Sequence, residues 1–273
     1  MLTIFTAPKP LTGQLAVIQR NAMRSWARLP GCELVAFGDE EGVAAIAAEL
    51  GATHVPDVAL SPQGTPLVGD MFARARRIGH HPVLCFVNAD VIFTSSLVTA
   101  VERVAHRRFL LVGQRWDLDV DEELEFDGDW EAGLLRRVRA AGSLHPPAGS
   151  DYFAYPRDVE WQMPPFAVGR VGWDNWTLRR ARQLSLEVID ATRVVQAIHQ
   201  NHARTAIHER QTPEATRNLD LLDGQFATLD HSTHVLTRRW LLPAIRTRRL
   251  AGGNLRSYIV GSLRRVFRRL RPG

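Results

Sequence analysis

Short apolar runs alternate along the chain with longer segments in which apolar residues recur at helical spacing. Leu2–Thr6 reads as a strand, closed by the proline-bearing loop Ala7-Pro8-Lys9-Pro10. Ile18, Ala22, Trp26 and Leu29 mark a helix over Ile18–Leu29. A second strand, Glu33–Phe37, closes at Gly38-Asp39, and the Ala-rich helix Gly42–Leu50 stops at Gly51. Thr53–Val55 is a third strand, followed by a helix over Leu67–Ile78 that Gly64-Thr65-Pro66 opens. Val83–Val87 is continuously apolar, as in a strand buried on both faces, and Phe109–Gly113 repeats that pattern after a helix over Ser96–His106. Further on, Trp176–Leu184 reads as a helix and Val194–Ile198 as an apolar strand.

This βαβα order predicts an α/β fold, a mostly parallel central sheet flanked by helices. Open parallel sheets bind ligands outside the carboxyl ends of their strands. The polar groups that follow the apolar runs are therefore the places to look. They are Thr6-Ala7-Pro8 with Lys9, Gly38-Asp39-Glu40, Asn88-Ala89-Asp90 and Gln114-Arg115-Trp116-Asp117.

Asn88-Ala89-Asp90 follows the most apolar strand, where a short acidic turn can hold a hard divalent cation through oxygen ligands; an Asx turn ending the strand is the plainer reading. Arg20, on the first helix, offers a guanidinium for phosphate. Thr65 stands at a helix start that favours an anion, although Gly-Thr-Pro also suits an ordinary cap. No Gly-x-x-x-x-Gly-Lys and no Gly-x-Gly-x-x-Gly occurs, which excludes a P-loop nucleotidase and a dinucleotide enzyme of the usual kind. Gly149-Ser150-Asp151-Tyr152-Phe153 and Gly169–Trp176 are dense in chemistry-bearing residues. Trp173 and Trp176 can form an apolar platform for a sugar, with Asp174 between them as a base, or both can be core while Asp174 caps a helix. His199 and His202, after an apolar strand, can give an imidazole to a metal or serve structure alone; His231 and His234 repeat their spacing.

Composition adds boundaries. The 273 residues are 45% apolar and 23% charged, which describes a globular chain. No apolar run approaches the roughly 20 residues that span a bilayer. No secretory signal is visible at Met1, and two cysteines cannot make a disulfide framework, so the cytoplasm is the expected compartment. The net charge of +5 is uneven. No acidic residue follows Asp230, and the last 43 residues hold 11 Arg; residues 1–230 carry the other 23 basic residues against 29 acidic ones, a net of -6. That shift sets the expected division into a catalytic domain, 1–235, and a basic tail, 236–273. In the tail, Leu255, Ile259, Leu263, Val266, Phe267 and Leu270 form one helical stripe flanked by arginines. Such a helix either lies on an anionic membrane or docks on the domain. No aromatic series accompanies the arginines, so nucleic acid is not an expected partner.

Taken together, these residues resemble the nucleotide-sugar glycosyltransferases of the GT-A fold. Asn88-Ala89-Asp90 looks like their strand-terminal Asp-x-Asp motif with the first Asp replaced. The resemblance implies a Rossmann-like fold over about residues 1–205 and Mn²⁺ or Mg²⁺ at Asp90 and at His199, with His202 second in line. It implies a nucleotide-sugar donor, UDP-sugar favoured, along Thr6, Ala7, Lys9, Arg20, Asp39, Thr65, Asn88, Ala89, Asp90 and Arg115, with Asp39 near the base. The base catalyst would be Asp174, then Asp151, and Tyr152, Trp173 and Trp176 would meet a glycan or lipid-linked acceptor. The resemblance is also compatible with a sugar nucleotidyltransferase, or with a binding module whose metal motif has decayed.

Overall fold

The structure is a computed structural model, and it describes residues 1–202, 212–238 and 245–249. Its elements in chain order are β1 Leu2–Thr6, α1 Gly13–Ala27, β2 Cys32–Phe37, α2 Val43–Leu50, β3 Thr53–Val55, α3 Val68–Ile78, β4 Val83–Val87 and β5 Val91–Phe93. There follow α4 Ser96–Val104, β6 Phe109–Val112, β7 Trp116–Leu118, α5 Trp130–Ala141, β8 Ser143–Leu144, β9 Tyr152–Pro156, α6 Trp173–Gln183 and β10 Glu187–Asp190. The last are β11 Ala197–Gln200, α7 Pro213–Leu221, a 3₁₀ turn at Leu229–His231, β12 His234–Arg238 and β13 Ile245–Arg249.

The main sheet runs β13-β12-β10-β6-β9-β4-β1-β2-β3. Only β9 and β13 oppose the common direction, so the sheet is mostly parallel, as its apolar runs predict. Alternation along the strands feeds two cores. Ile4, Cys85 and Val87 face α1, α2 and α4 with Trp26, Ile46 and Leu97, while Phe5, Leu84 and Phe86 face α3 and α6 with Phe72 and Trp173. The second core is aromatic: the Phe5 ring meets Phe72 at 5.1 Å and Phe86 at 5.6 Å, edge to face. Each such pair adds about 0.5–1.5 kcal/mol beyond its burial.

A smaller sheet, β5-β11-β7-β8, stands beside the main one. It forms because the chain turns at Asn88–Asp90, with Val91 N–H donating to Asn88 O at 3.2 Å, and leaves the main sheet as β5. The apolar pattern marks only β11 of this sheet, in part, because the other three strands are two or three residues long.

Three segments differ from the periodicity. α1 starts at Gly13 rather than Ile18, α6 starts at Trp173 rather than Trp176, and β11 starts at Ala197, so that His199 lies inside the strand. The division expected after residue 235 falls within β12, and β13 pairs with that strand antiparallel. The stripe from Leu255 onward lies outside the described residues. Among the described residues no helix is long and apolar enough to cross a membrane.

Candidate functional site

The carboxyl ends of β1, β2 and β4 open into a cavity of about 500 Å³, completed by the start of β9, the first turn of α6 and the loops around Thr65 and Arg170. Asp90 sits at the turn after β4, and β11 brings His199 beside it: His199 pairs with Val91 across the small sheet. Asp90 Oδ2 lies 3.5 Å from His199 Nε2 and 3.3 Å from His202 Nε2. Ligand atoms of these three residues all fall within 4.8 Å of one another, close enough to hold a metal ion. Burial works against ionisation of Asp90, but the two imidazoles overcome it and hold the carboxyl well below its ordinary range. Its Oδ1 is buried with no hydrogen-bond partner among the described residues, as an oxygen awaiting a cation would be.

A buried amide network keeps this turn in place. Gln200 N–H and Nε2 donate to Asp90 O at 3.1 and 3.2 Å, and Gln200 Nε2 also donates to Ile18 O at 2.8 Å. Asn21 Nδ2 donates to Gln200 Oε1 at 3.0 Å, and Trp26 Nε1 donates to Val91 O at 2.9 Å. Each buried polar atom so satisfied fixes α1, β5 and β11 against each other.

Asn88 lines the cavity, and its amide nitrogen is committed to Asp151. Its Nδ2 donates to Asp151 Oδ1 at 2.7 Å, and its backbone N–H donates to Asp151 O at 2.9 Å. His202 is the third residue of the candidate cation cluster. Arg115, 8% exposed, is engaged by two carboxylates, Asp117 Oδ1 at 2.8 Å and Asp151 Oδ2 at 2.5 Å. Asp151 is thereby held on both oxygens, by Asn88 and by Arg115, and is poorly placed to take up a proton as a base.

Asp174 stands in the first turn of α6 and lines the cavity. Burial is the main influence on it and raises its pKa to about 6; the nearby Asp151 charge adds to the rise, while backbone N–H groups of Asn175, Ser150 and Asp174 itself moderate it. A carboxylate poised there is matched to proton uptake near neutrality.

The remaining sequence candidates divide. Ala7, Lys9, Thr65, Ala89 and Trp173 line the cavity. Gln19 fixes the Lys9 turn, accepting from Lys9 N–H at 2.7 Å and donating to Lys9 O at 2.9 Å. Thr65 caps no helix: α3 starts at Val68, and the Thr65 hydroxyl donates to Glu214 Oε2 at 3.0 Å. Glu214 also binds Arg170 at 2.8 Å, locking the two loops at that rim together.

Others lie elsewhere. Thr6 is buried and does not line the cavity. Arg20 points away, 41% exposed and 3.5 Å from Glu123 on the acidic segment that crosses α1. Asp39 is exposed, and its neighbour Glu40 lines the cavity in its place. Gly38, at φ +100°, makes this possible, since a Cβ there would stand 2.1 Å from Glu40 Oε2.

The aromatic platform is corrected as well. Trp176 is 4% exposed and packs on Phe166 at 5.7 Å, and Trp173 is a core residue against Phe86 at 5.1 Å with only an edge on the cavity. Tyr152 is fully buried against Phe93, its hydroxyl beneath Gly113. Residues that the sequence reading did not single out as ligands, Glu40, Asp117, His145 and Arg170, are at or beside the site.

No protein-family model matches the chain, and no curated protein matches it by sequence. Solved structures do match. A mycobacterial protein aligns over 92% of this chain and 84% of its own, at a TM-score of 0.52 and 13% identity. Glucosyl-3-phosphoglycerate synthase from Mycobacterium tuberculosis aligns over 92% and 88%, at 0.50 and 14%. The same enzyme in complex with Mn²⁺, uridine diphosphate and phosphoglyceric acid aligns over 92% and 87%, at 0.51 and 16%. The likeness shows the fold: a mixed α/β architecture with a large helix-flanked sheet, matching neighbours of the GT-A, Rossmann-like kind.

Proposed function

We propose that the chain is a glycosyltransferase that moves a sugar from a nucleoside-diphosphate donor, UDP-sugar favoured, to an acceptor hydroxyl. The observation that carries the reading is one cavity lined by both a cation-binding cluster, Asp90–His199–His202, and an ionisable carboxylate of raised pKa, Asp174. The solved neighbours add support, since one of them binds Mn²⁺ together with uridine diphosphate.

Asp90, His199 and His202 would hold the cation, and the unpartnered Asp90 Oδ1 and converging imidazoles fit that role. A bound divalent ion supplies stabilisation of the negative charge that grows on the departing diphosphate. Ala7, Lys9 and Glu40, after β1 and β2, frame the nucleotide end of the cavity. Asp174 accepts the proton of the attacking hydroxyl, which on the face opposite the leaving group gives inversion. Asn88 in place of Asp offers no argument against cation binding on this reading, because His202 would supply a further ligand and the bond from Asn88 Nδ2 to Asp151 leaves its Oδ1 free among the described residues.

The acceptor we favour is a glycan or lipid-linked hydroxyl at the cytoplasmic face of a membrane, on the strength of the arginine-flanked apolar stripe in the tail sequence. Sedimentation with anionic liposomes tests that part, and deletion of Leu255–Gly273 is expected to abolish it.

Calorimetric titration of UDP and of GDP, each with and without Mn²⁺, tests the core of the proposal on wild type and Asp90→Ala. UDP binding that requires Mn²⁺ and disappears in the variant is the expected result. Failure of both nucleotides under every condition would sink the reading.

A further inference from the structure

Strand β7 lies beside β11 in the small sheet, and its register sets Asp117 opposite His199. The His199 ring, 3% exposed, is held between two carboxylates. Nε2 faces Asp90 Oδ2 at 3.5 Å and Nδ1 faces Asp117 Oδ1 at 3.3 Å. The second contact is at ion-pair distance but off the line of a full hydrogen bond, and no other described group hydrogen-bonds that nitrogen. Asp117 itself is clamped: Arg115 Nε donates to Oδ1 at 2.8 Å, and His145 Nδ1 lies 2.8 Å from Oδ2. Burial resists its ionisation, but His145 and Arg115 keep its carboxyl below the ordinary range.

From this juxtaposition we infer that Asp117 is a positioning residue for the cation site: it holds the Nδ1 proton of His199 and so aims the Nε2 lone pair at the cation beside Asp90. The inference rests on the cation reading above. Its physical basis is that a neutral imidazole carries one proton, and a carboxylate on one nitrogen decides that the other is the ligand and limits the ring's rotation. A fixed carboxylate does this better than a mobile one, which gives Arg115 and His145 a purpose although neither belongs to the Asp90–His199–His202 cluster. Asp117 would touch neither cation nor substrate.

The test is Mn²⁺ titration of the full chain, following the electron paramagnetic resonance signal of free Mn²⁺, for wild type, His199→Ala, Asp117→Ala and Asp117→Asn. Asp117→Ala is expected to weaken Mn²⁺ binding about 10–100-fold. Asp117→Asn should fall between it and wild type, since an amide oxygen still accepts from Nδ1–H. The nitrogen modulation, in pulsed spectra, of Mn²⁺ that remains bound should change in both, whereas a mere loss of folded protein would lower the amount bound and leave the modulation of the rest as in wild type. Asp117→Asn preserves side-chain volume and carries the test if Asp117→Ala does not fold. Wild-type Mn²⁺ affinity and nitrogen modulation in the Asp117 variants, with His199→Ala impaired, would overturn the proposal. Unimpaired binding by His199→Ala would instead overturn the cation reading beneath it.

Discussion

Asp151 and Asp174 line the same cavity, yet their surroundings give them opposite capacities. Asp151 lies at the start of β9, beside the turn after β4, and is bonded on both oxygens, to Asn88 and Arg115. Asp174 lies on the wall made by α6, faces no cation within ion-pair distance among the described residues, and is pushed up to about 6 chiefly by burial. One wall stores charge in compensated pairs; the other holds a carboxylate that has backbone N–H groups but no cationic side chain beside it among the described residues. A buried charge with partners is a fixed structural part, and one without is available for proton transfer.

The contrast breaks most sharply on turnover. Asp174→Asn keeps the shape of the side chain and removes the base, so the rate of sugar transfer should fall about 10²–10⁴-fold. Nucleotide affinity in the presence of Mn²⁺ should hardly change. Steady-state kinetics with a competent acceptor, beside calorimetry, separates the two. A variant that kept wild-type turnover would remove Asp174 from the chemistry.

Asp151→Ala attacks the other wall, and its effect should appear first in stability. It strands Arg115, 8% exposed, with one of its two carboxylates gone. Because Asp117 still compensates the charge, the loss should be about 1–3 kcal/mol, the cost of buried donors left without an acceptor, which urea unfolding would resolve. Equal stability of variant and wild type would mean that the pair is an idle one.

The pH dependence of stability sharpens the same comparison, and its sign follows from the direction of the shift. The Asp174 pKa is raised from 3.8 to about 6 on folding, so the folded chain binds that proton more tightly than the unfolded one. Stability from this group is therefore full below about pH 4 and is lost as pH rises through about 6. Asp174→Asn escapes the loss, and above pH 6 it should exceed wild type by on the order of 1–3 kcal/mol. Below pH 4 the two should coincide. Denaturant melts at both ends of that range give the answer, and a gain of stability beside a loss of turnover is the signature of a functional carboxylate.

How far these roles were legible in the sequence depends on what each required. The buried strand Val83–Val87 and the polar turn after it are local, so Asn88-Ala89-Asp90 could be placed at a strand end from its flanks alone. Asp174 could be named from its company of residues, but its exposure to the cavity and not to a counter-ion came only from packing. Trp173 and Trp176 were open between platform and core, and the partners that decide it, Phe86 and Phe166, lie on other elements. His202 could be named as a second choice from its spacing to His199, but Asp117 and His145 come to the site through a small sheet of short strands, where a period-two pattern has too few residues to register. Arg20 was misread for the converse reason. Arg20 falls midway along α1 rather than at a helix start, and its acidic partner Glu123 is 103 residues away in the chain.

Arg20 therefore supplies the smallest expected effect and a control for all the others. Its side chain is 41% exposed, its contact with Glu123 is 3.5 Å, and it takes no part in lining the cavity. An exposed pair of that kind contributes about 0–1 kcal/mol. Arg20→Ala should thus leave Mn²⁺-dependent nucleotide binding and transfer unchanged and lower stability slightly, an effect that added salt should shrink further because exposed charges are screened. A large fall in nucleotide affinity would put the diphosphate on the outer face of α1. The cavity between the two walls would then hold something else, and the division of labour between Asp151 and Asp174 would have to be argued again for that ligand.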